Sequence, residues 1–326
     1  MTQNIILGFD QGFSAVKVSS AYGEFKFANA VQEVNQSGNL FTAGISSANN
    51  IYEYNNKKYI VGDKAGAGSK INYYRDIKYL MDYAPVMLAA AIDKLSEHGI
   101  TKDNITELSV GLPLENVAYM NEYRDILRSF TVNNVRYEFK KIFGYAQGVG
   151  AYADYIYNWG KGNITHDEKG FVWDIGENTM ILVAYEGYSV KKDGSRQFDK
   201  QGISAIYDLI REKIRQRIER EPSITDLRNI LSGKTIKSFG DNIDCQDIIV
   251  PAVKQYLETT YMSILDKYKE QFSRCDKVIL AGGGSRILAP YINNVFKKSN
   301  FYITAPEPEF SNVRGYRYIV MSKIKA

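Results

Sequence analysis

The sequence predicts an α/β protein made of two similar halves, and three observations predict it. The chain has 326 residues, too many for one small core. Short apolar runs of strand length alternate with segments of helical periodicity. Each half also carries the same unit, an apolar strand, an Asp-x-Gly turn and a second strand. In the first half these are Ile5–Phe9, Asp10-Gln11-Gly12 and Ala15–Ser19. In the second they are Phe171–Trp173, Asp174-Ile175-Gly176 and Thr179–Tyr185.

Taken in order, the first unit reads as a β-hairpin because Ala15–Ser19 alternates with period two. Phe25–Ala30 and Tyr59–Val61 are further strands. Pro85 suits the first position of a helix running on through Val86–Leu95. Leu108–Val110 is a short strand ending at Gly111-Leu112-Pro113, followed by a helix over Val117–Phe130 and a strand over Val135–Lys140. Gln147–Tyr157 is rich in small residues and suits a helix packed closely on its neighbours. Trp159–Asp167 is a polar connector and the candidate domain boundary. Ile203, Ile206, Ile210, Ile214 and Ile218 form one stripe of an amphipathic helix. Ser223-Ile224-Thr225-Asp226 resembles a capping box. Asp247–Phe272 reads as one long helix with Pro251 in its first turn or kinking it. Lys277–Leu280 is a buried strand, Gly282–Gly284 a turn, and Ser285 the N-cap of a helix to Phe296.

Composition excludes several classes. Hydrophobic residues make up 44% and charged residues 24%, so wholesale disorder is not expected. No apolar run approaches the length of a membrane span, and Met1–Asn4 has no basic region of the kind that opens a secretory leader. Cys245 and Cys275 are read as reduced thiols, without disulfide or metal-ligand spacing. His98 and His166 lie in polar, turn-like sequence and are read as surface residues, which speaks against zinc or a Ser-His-Asp triad. A net charge of +4 argues against a DNA-binding module, and the basic tail Arg314–Lys325 reads as a solvated face. The 25 tyrosines are compatible with codon bias or with anchors of subunit contacts.

The two turns carry the chemistry. Gly12 and Gly176 allow tight turns with positive φ and let backbone N–H groups approach an anion. The polyphosphate of a nucleotide is the natural anion. Asp10 and Asp174 would repel it unless a hard cation intervenes, and magnesium keeping several waters is that cation. Lys17, on the returning strand, can offset phosphate charge. The glycine-rich stretch Val61–Lys70 fits neither the P-loop nor the dinucleotide spacing and reads as a flexible turn. Gly282–Gly284, between a buried strand and a helix, suit a backbone lying flat against base and sugar.

At this point the chain resembles the superfamily of actin, sugar kinases and heat-shock chaperone ATPases. Five segments carry the likeness, in the order that the family has them. They are Leu7–Val18 (LGFDQGFSAVKV), Gln147–Tyr155 (QGVGAYADY), Val172–Val183 (VWDIGENTMILV), Val278–Ser285 (VILAGGGS) and Asn312–Val320 (NVRGYRYIV). Gly111-Leu112-Pro113-Leu114 and Gln147-Gly148-Val149-Gly150 are most similar to plasmid-segregation actins of the ParM type and to archaeal actin-like proteins.

The resemblance implies an actin-like fold, two duplicated ribonuclease-H-like domains around a nucleotide cleft. Domain I would comprise residues 1–160 and 308–326, and domain II residues 161–307. It implies that Asp10 and Asp174 hold the magnesium–water shell and that Gln147 positions the attacking water. Gly12, Phe13, Ser14 and Lys17 would serve the first phosphate turn, and Gly176, Glu177, Asn178 and Thr179 the second. Gly202 would open the helix beside the base, and Gly282, Gly283 and Gly284 would line the nucleoside. Many relatives have glycine where this chain has Glu177, and a carboxylate there crowds a phosphate unless it points outward.

The function implied is a cytoplasmic, filament-forming ATPase, or GTPase, that polymerises head to tail and segregates DNA. Contact with DNA would pass through an adaptor protein, with neither direct nucleic-acid nor membrane binding. Slow hydrolysis fits a neutral Gln147, since phosphoryl transfer to water needs positioning and charge stabilisation. The alternative is a small-molecule kinase of the same superfamily, but a kinase would carry an acid where Gln147 stands. A chaperone ATPase is disfavoured because no substrate-binding domain follows residue 326. A membrane-tethered division actin is disfavoured because Met321–Ala326 is too short for an amphipathic anchor.

Overall fold

A computed structural model describes residues 4–34, 51–65, 76–296 and 301–325. It divides into two units, Met1–Asn158 with Phe310–Ala326, and Trp159–Glu309.

The first unit opens with strands β1 (Ile5–Gln11), β2 (Ala15–Ser20) and β3 (Gly23–Ala28), then β4 (Val31–Glu33), β5 (Ile51–Tyr54) and β6 (Lys57–Val61). Helix α1 (Ile77–Ser96), strand β7 (Ile105–Leu112), helix α2 (Met120–Arg128), strands β8 (Ser129–Val132), β9 (Val135–Glu138) and β10 (Lys141–Ala146), and helix α3 (Val149–Asp154) follow. Its main sheet has the order β10-β7-β1-β2-β3. The β1–β2–β3 meander is antiparallel, whereas β7 and β10 join parallel. Leu7, Phe9, Val16 and Val18 are fully buried in the sheet, and α1 covers it with Leu80, Ala84, Leu88 and Ala91.

The second unit contains β11 (Lys169–Ile175), β12 (Thr179–Glu186), β13 (Ser189–Asp199), α4 (Ser204–Ile218), α5 (Ile224–Leu231), β14 (Ile236–Ser238) and β15 (Asp241–Ile243). It continues with α6 (Gln246–Tyr256), α7 (Met262–Lys267), α8 (Lys269–Ser273), β16 (Lys277–Ala281), α9 (Ser285–Phe296) and β17 (Tyr302–Thr304). The main sheet runs β13-β12-β11-β16-β17, again an antiparallel meander of three with two parallel strands added to its first member. The five isoleucines of the α4 stripe are all buried. At about 2 kcal/mol per buried side chain, that stripe anchors α4. Trp173 stacks on Tyr261 with centroids 4.0 Å apart, filling the core under β11.

The last helix, α10 (Ser311–Lys325), returns to the first unit and packs on α3. The two helices meet at glycines. A Cβ on Gly315 would collide with the Gly150 carbonyl, and one on Gly150 would collide with the Tyr316 ring. Only glycine permits a backbone approach this close.

The two meanders share one register. Asp10 faces Lys17 and Gln11 faces Val16 across β1–β2. Asp174 faces Ile181 and Ile175 faces Met180 across β11–β12. The coarse duplication read from the two Asp-x-Gly turns is therefore a duplication of topology, strand for strand.

Several elements differ from expectation. Pro85 is not at a helix start: α1 begins eight residues earlier, where the Asp76 side chain accepts from Tyr79 N at 2.8 Å. The helix expected over Val117–Phe130 is a 3₁₀ segment and then α2, and Phe130 pairs with Tyr137 in a β-hairpin. The long helix expected over Asp247–Phe272 is interrupted by a π segment at Leu257–Tyr261 and again at Tyr268, not at Pro251. Ser285 is not a cap but the first residue of α9, where its hydroxyl donates to the Ala281 carbonyl at 2.5 Å. Strand β13 has no strand-like apolar pattern in the sequence, because it is the charged edge of its sheet. Within the stretch Val61–Lys70, residues 66–70 lie outside those described.

Candidate functional site

The first turn sits between β1 and β2. Gly12 N donates to Ala15 O at 3.0 Å, leaving Phe13 and Ser14 as a two-residue loop. The second turn closes the same way, with Gly176 N to Thr179 O at 2.9 Å and Glu177-Asn178 as the loop. Neither Gly12 nor Gly176 has positive φ, contrary to expectation. Space at both is tight rather than closed: a Cβ would sit 3.0 Å from Lys17 Nζ in one turn and 3.1 Å from the Thr179 carbonyl in the other.

Both turns are held by their carbonyl side. In the first, Asn29 Nδ2 donates to Gly12 O at 2.8 Å and Asn29 N to Ser14 O at 3.0 Å. In the second, the N–H groups of Gly202, Ile203 and Ser204 donate to Asn178 O, Gly176 O and Glu177 O at 3.3, 3.1 and 2.7 Å. A trans peptide points its N–H opposite to its C=O. The N–H groups of Phe13 and Ala15, and those of Glu177 and Asn178, accordingly face the other side of their turns. In the second turn these N–H groups are successive, the arrangement that makes an anion-binding nest; in the first they alternate with Ser14.

Asp10, at the end of β1, is fully buried. Lys17 Nζ lies 3.0 Å from its Oδ2, and Gln147 Nε2 donates to its Oδ1 at 2.9 Å. Pairing with Lys17 follows from register, since Asp10 and Lys17 are cross-strand partners. Gln147 arrives from the end of β10, its own N–H bonded to Leu112 O at 2.9 Å. Asp174, at the corresponding place on β11, is buried against Gly282, whose Cβ would collide with its carboxylate.

The three glycines differ in what they do. Gly282 has φ +79° and donates to Pro308 O at 2.8 Å; Gly284 donates to Ile175 O at 2.8 Å and leaves no room for a Cβ beside Ile175 and Ile203. Gly283 alone is exposed, and a Cβ there would make only an ordinary contact, 3.9 Å from Glu309 Cβ. Gly202 is buried, and a Cβ there would lie 2.6 Å from the Gly176 and Glu177 carbonyls. Its packing role, backing the second turn, is sufficient reason for a glycine.

Residues that sequence reasoning missed support these groups. Gln11 is buried, accepts from Tyr123 OH at 3.0 Å and reaches Asn29 Oδ1 at 3.4 Å, while Tyr79 OH donates to Asn29 O at 3.2 Å. Asn312 Oδ1 accepts from Gly148 N at 2.8 Å and Ala151 N at 3.1 Å, capping α3 just after Gln147. Arg228 grips the Glu177 carboxylate. Arg314 corrects the reading of the tail as a solvated face: it is buried, 3.1 Å from Asp154 and 3.0 Å from Glu24. Burial pushes the Asp154 carboxyl up to about 6, against the opposing pull of Arg314.

A metal would find oxygen donors here but no protein cage. Among the described residues there is no cluster of three or more His, Cys, Asp or Glu. Asp10 and Asp174, each within its own unit, are hard oxygen donors of the class that magnesium takes. The cysteines offer no alternative chemistry. Burial, with Asp276 adding, pushes the Cys275 thiol up to about 12, and burial also raises Cys245. Both histidines are exposed.

A family model for the N-terminal domain of actin-like proteins matches residues 8–150. A second, for the C-terminal domain of the archaeal MreB-like actin homologue, matches residues 172–294. The chain belongs to the actin-like proteins. Its fold is the actin-like one over nearly its whole length. A 15-stranded ParM filament from Clostridium botulinum is similar with TM-score 0.78 and 20% identity, covering 98% of this chain and 99% of that one. An archaeal actin homologue in complex with ADP gives 0.77 and 17%, covering 97% and 99%. The actin-like protein Alp7A gives 0.75 and 15%, covering 99% and 98%. No curated protein matches by sequence. In this actin-like protein, no helix among the described residues is long and apolar enough to cross a membrane.

Proposed function

We propose that this chain is a cytoplasmic, filament-forming ATPase that polymerises with nucleotide and drives DNA segregation, or similar positioning of cargo. One observation carries the reading: two turns of identical register and closure each present backbone N–H groups on one side and a strand-end carboxylate beside them. The Asp10 turn and the Asp174 turn would both serve the polyphosphate of ATP or GTP. Gly283, the exposed glycine of its segment, is the one best suited to face the nucleoside.

Asp10 and Asp174 would hold magnesium through its waters, and the chemistry it would supply there is neutralisation of phosphate charge. Lys17 shares the Asp10 carboxylate and can move its charge to a phosphate. Gln147 would orient the attacking water once released from Asp10. A neutral amide orients without taking a proton, so hydrolysis is slow, which suits a filament timer. Self-association head to tail generates an open filament. That relatives of the same fold have been solved as filaments, and one with ADP, supports the reading. An adaptor protein would bridge the filament to DNA, in keeping with the modest net charge of +4.

Sedimentation and electron microscopy with magnesium and a non-hydrolysable ATP analogue test it. Filaments that form with the analogue and disassemble after ATP hydrolysis are expected. A protein that stays monomeric at high concentration with either nucleotide contradicts the proposal. A stoichiometric phosphorylated product in a screen of small-molecule acceptors would favour a kinase instead.

A further inference from the structure

Glu177 occupies the first loop position of the second turn, where a carboxylate and a polyphosphate would repel each other. The carboxylate is committed elsewhere. Arg228 donates from Nε to both its oxygens at 3.0 and 3.2 Å, and from a terminal guanidinium nitrogen to Oε1 at 2.7 Å. The pair is partly shielded, with side-chain exposures of 14% for Glu177 and 41% for Arg228. Planar fork geometry of this kind fixes direction as well as distance.

The element that presents Arg228 is itself fixed. Helix α5 begins with a reciprocal capping box between Ser223 and Asp226, and Arg220 lies 2.7 Å from Asp226. Leu227, Ile230 and Leu231 bury its other face. The first turn offers a comparison within the same chain: its loop residues are Phe13 and Ser14, with no carboxylate to restrain.

We propose that Arg228 is a positioning residue for the nucleotide, holding the Glu177 carboxylate aside so that the N–H face of the second turn can receive phosphate. This rests on the reading of that turn as a phosphate site. Arg228 need not touch the nucleotide to act. Its loss leaves a negative charge free to swing into the turn.

The test is calorimetric titration of the full chain with magnesium and a non-hydrolysable ATP analogue, using wild type, R228A, E177Q and the double variant. R228A is expected to bind about tenfold more weakly, with the deficit shrinking as salt is raised. E177Q breaks the same ion pair without leaving a stray charge and is expected to bind more tightly than wild type. The double variant is expected to recover to within about threefold of E177Q, since its missing arginine has nothing left to restrain. A double variant as weak as R228A, an E177Q as weak as R228A, or an R228A equal to wild type each overturns the inference. Thermal melting of all four separates these results from a simple loss of fold. A wild type that binds no nucleotide overturns the proposed function itself, which is a different result from equal binding by wild type and R228A.

Discussion

Gln147 donates its side-chain amide to Asp10 Oδ1 at 2.9 Å, and Lys17 holds the other oxygen of the same carboxylate at 3.0 Å. Two groups of one sheet, Lys17 from β2 and Gln147 from just past β10, therefore converge on a single buried carboxylate at the end of β1. If Gln147 orients water, replacing it should slow the chemical step and spare binding. Q147A is expected to lower kcat about 100-fold while changing nucleotide affinity less than about threefold. Phosphate release and nucleotide titration measure the two separately. Equal losses in both would instead make Gln147 a binding residue.

Asn312 links α10 to the start of α3 by accepting from Gly148 N and Ala151 N. N312A leaves both donors buried without that acceptor and is expected to cost about 1–3 kcal/mol. Because the capped turn follows Gln147 directly, hydrolysis should fall with it. N312D keeps the acceptor and should restore most of the stability. Thermal melts of the two variants against wild type check this.

The crossing of α3 and α10 leaves no room at Gly315, where a Cβ would meet the Gly150 carbonyl and the Asp154 N–H. G315A must push the helices apart and is expected to destabilise the first unit by about 2–4 kcal/mol. Denaturant titration with a probe in that unit measures it. A stability change under about 0.5 kcal/mol would mean that the helices separate freely.

Asp154 gives a pH dependence of definite sign. Burial raises its folded value to about 6, above the unfolded value near 4, despite the nearby Arg314. Between about pH 4 and 6 the folded state therefore binds the extra proton. The associated stability is present below about pH 4 and is lost as pH rises through 6. D154N, which resembles the protonated form, should lack that decline. The stability difference between wild type and D154N is expected to shift by about 2 kcal/mol between pH 4.5 and 7. Chemical denaturation at pH 4.5, 5.5 and 7 reads it out.

What was legible in the sequence was local. The hairpins around Asp10 and Asp174 announce themselves through period-two alternation, and the α4 stripe through isoleucines at helical spacing. What was not legible depends on distant partners. Asn29, Tyr123, Asn312 and Arg228 are ordinary polar residues until the fold brings them to the turns and to α3. Arg314 was misread because charged residues are rarely buried unless paired, and its partners Asp154 and Glu24 are remote in sequence. Pro85 misplaced the start of α1 because a proline seldom sits inside a helix. Glu177 stood out against the resemblance, but the arginine that accommodates it could not be read from either motif.

The most direct measurement is a structure of the protein with magnesium and a non-hydrolysable ATP analogue. The account predicts β- and γ-phosphate oxygens within hydrogen-bond distance of the Phe13 and Glu177 N–H groups, with Gln147 turned from Asp10 toward the γ-phosphate. Nucleotide bound away from both turns, with the Gln147–Asp10 bond intact, would contradict it.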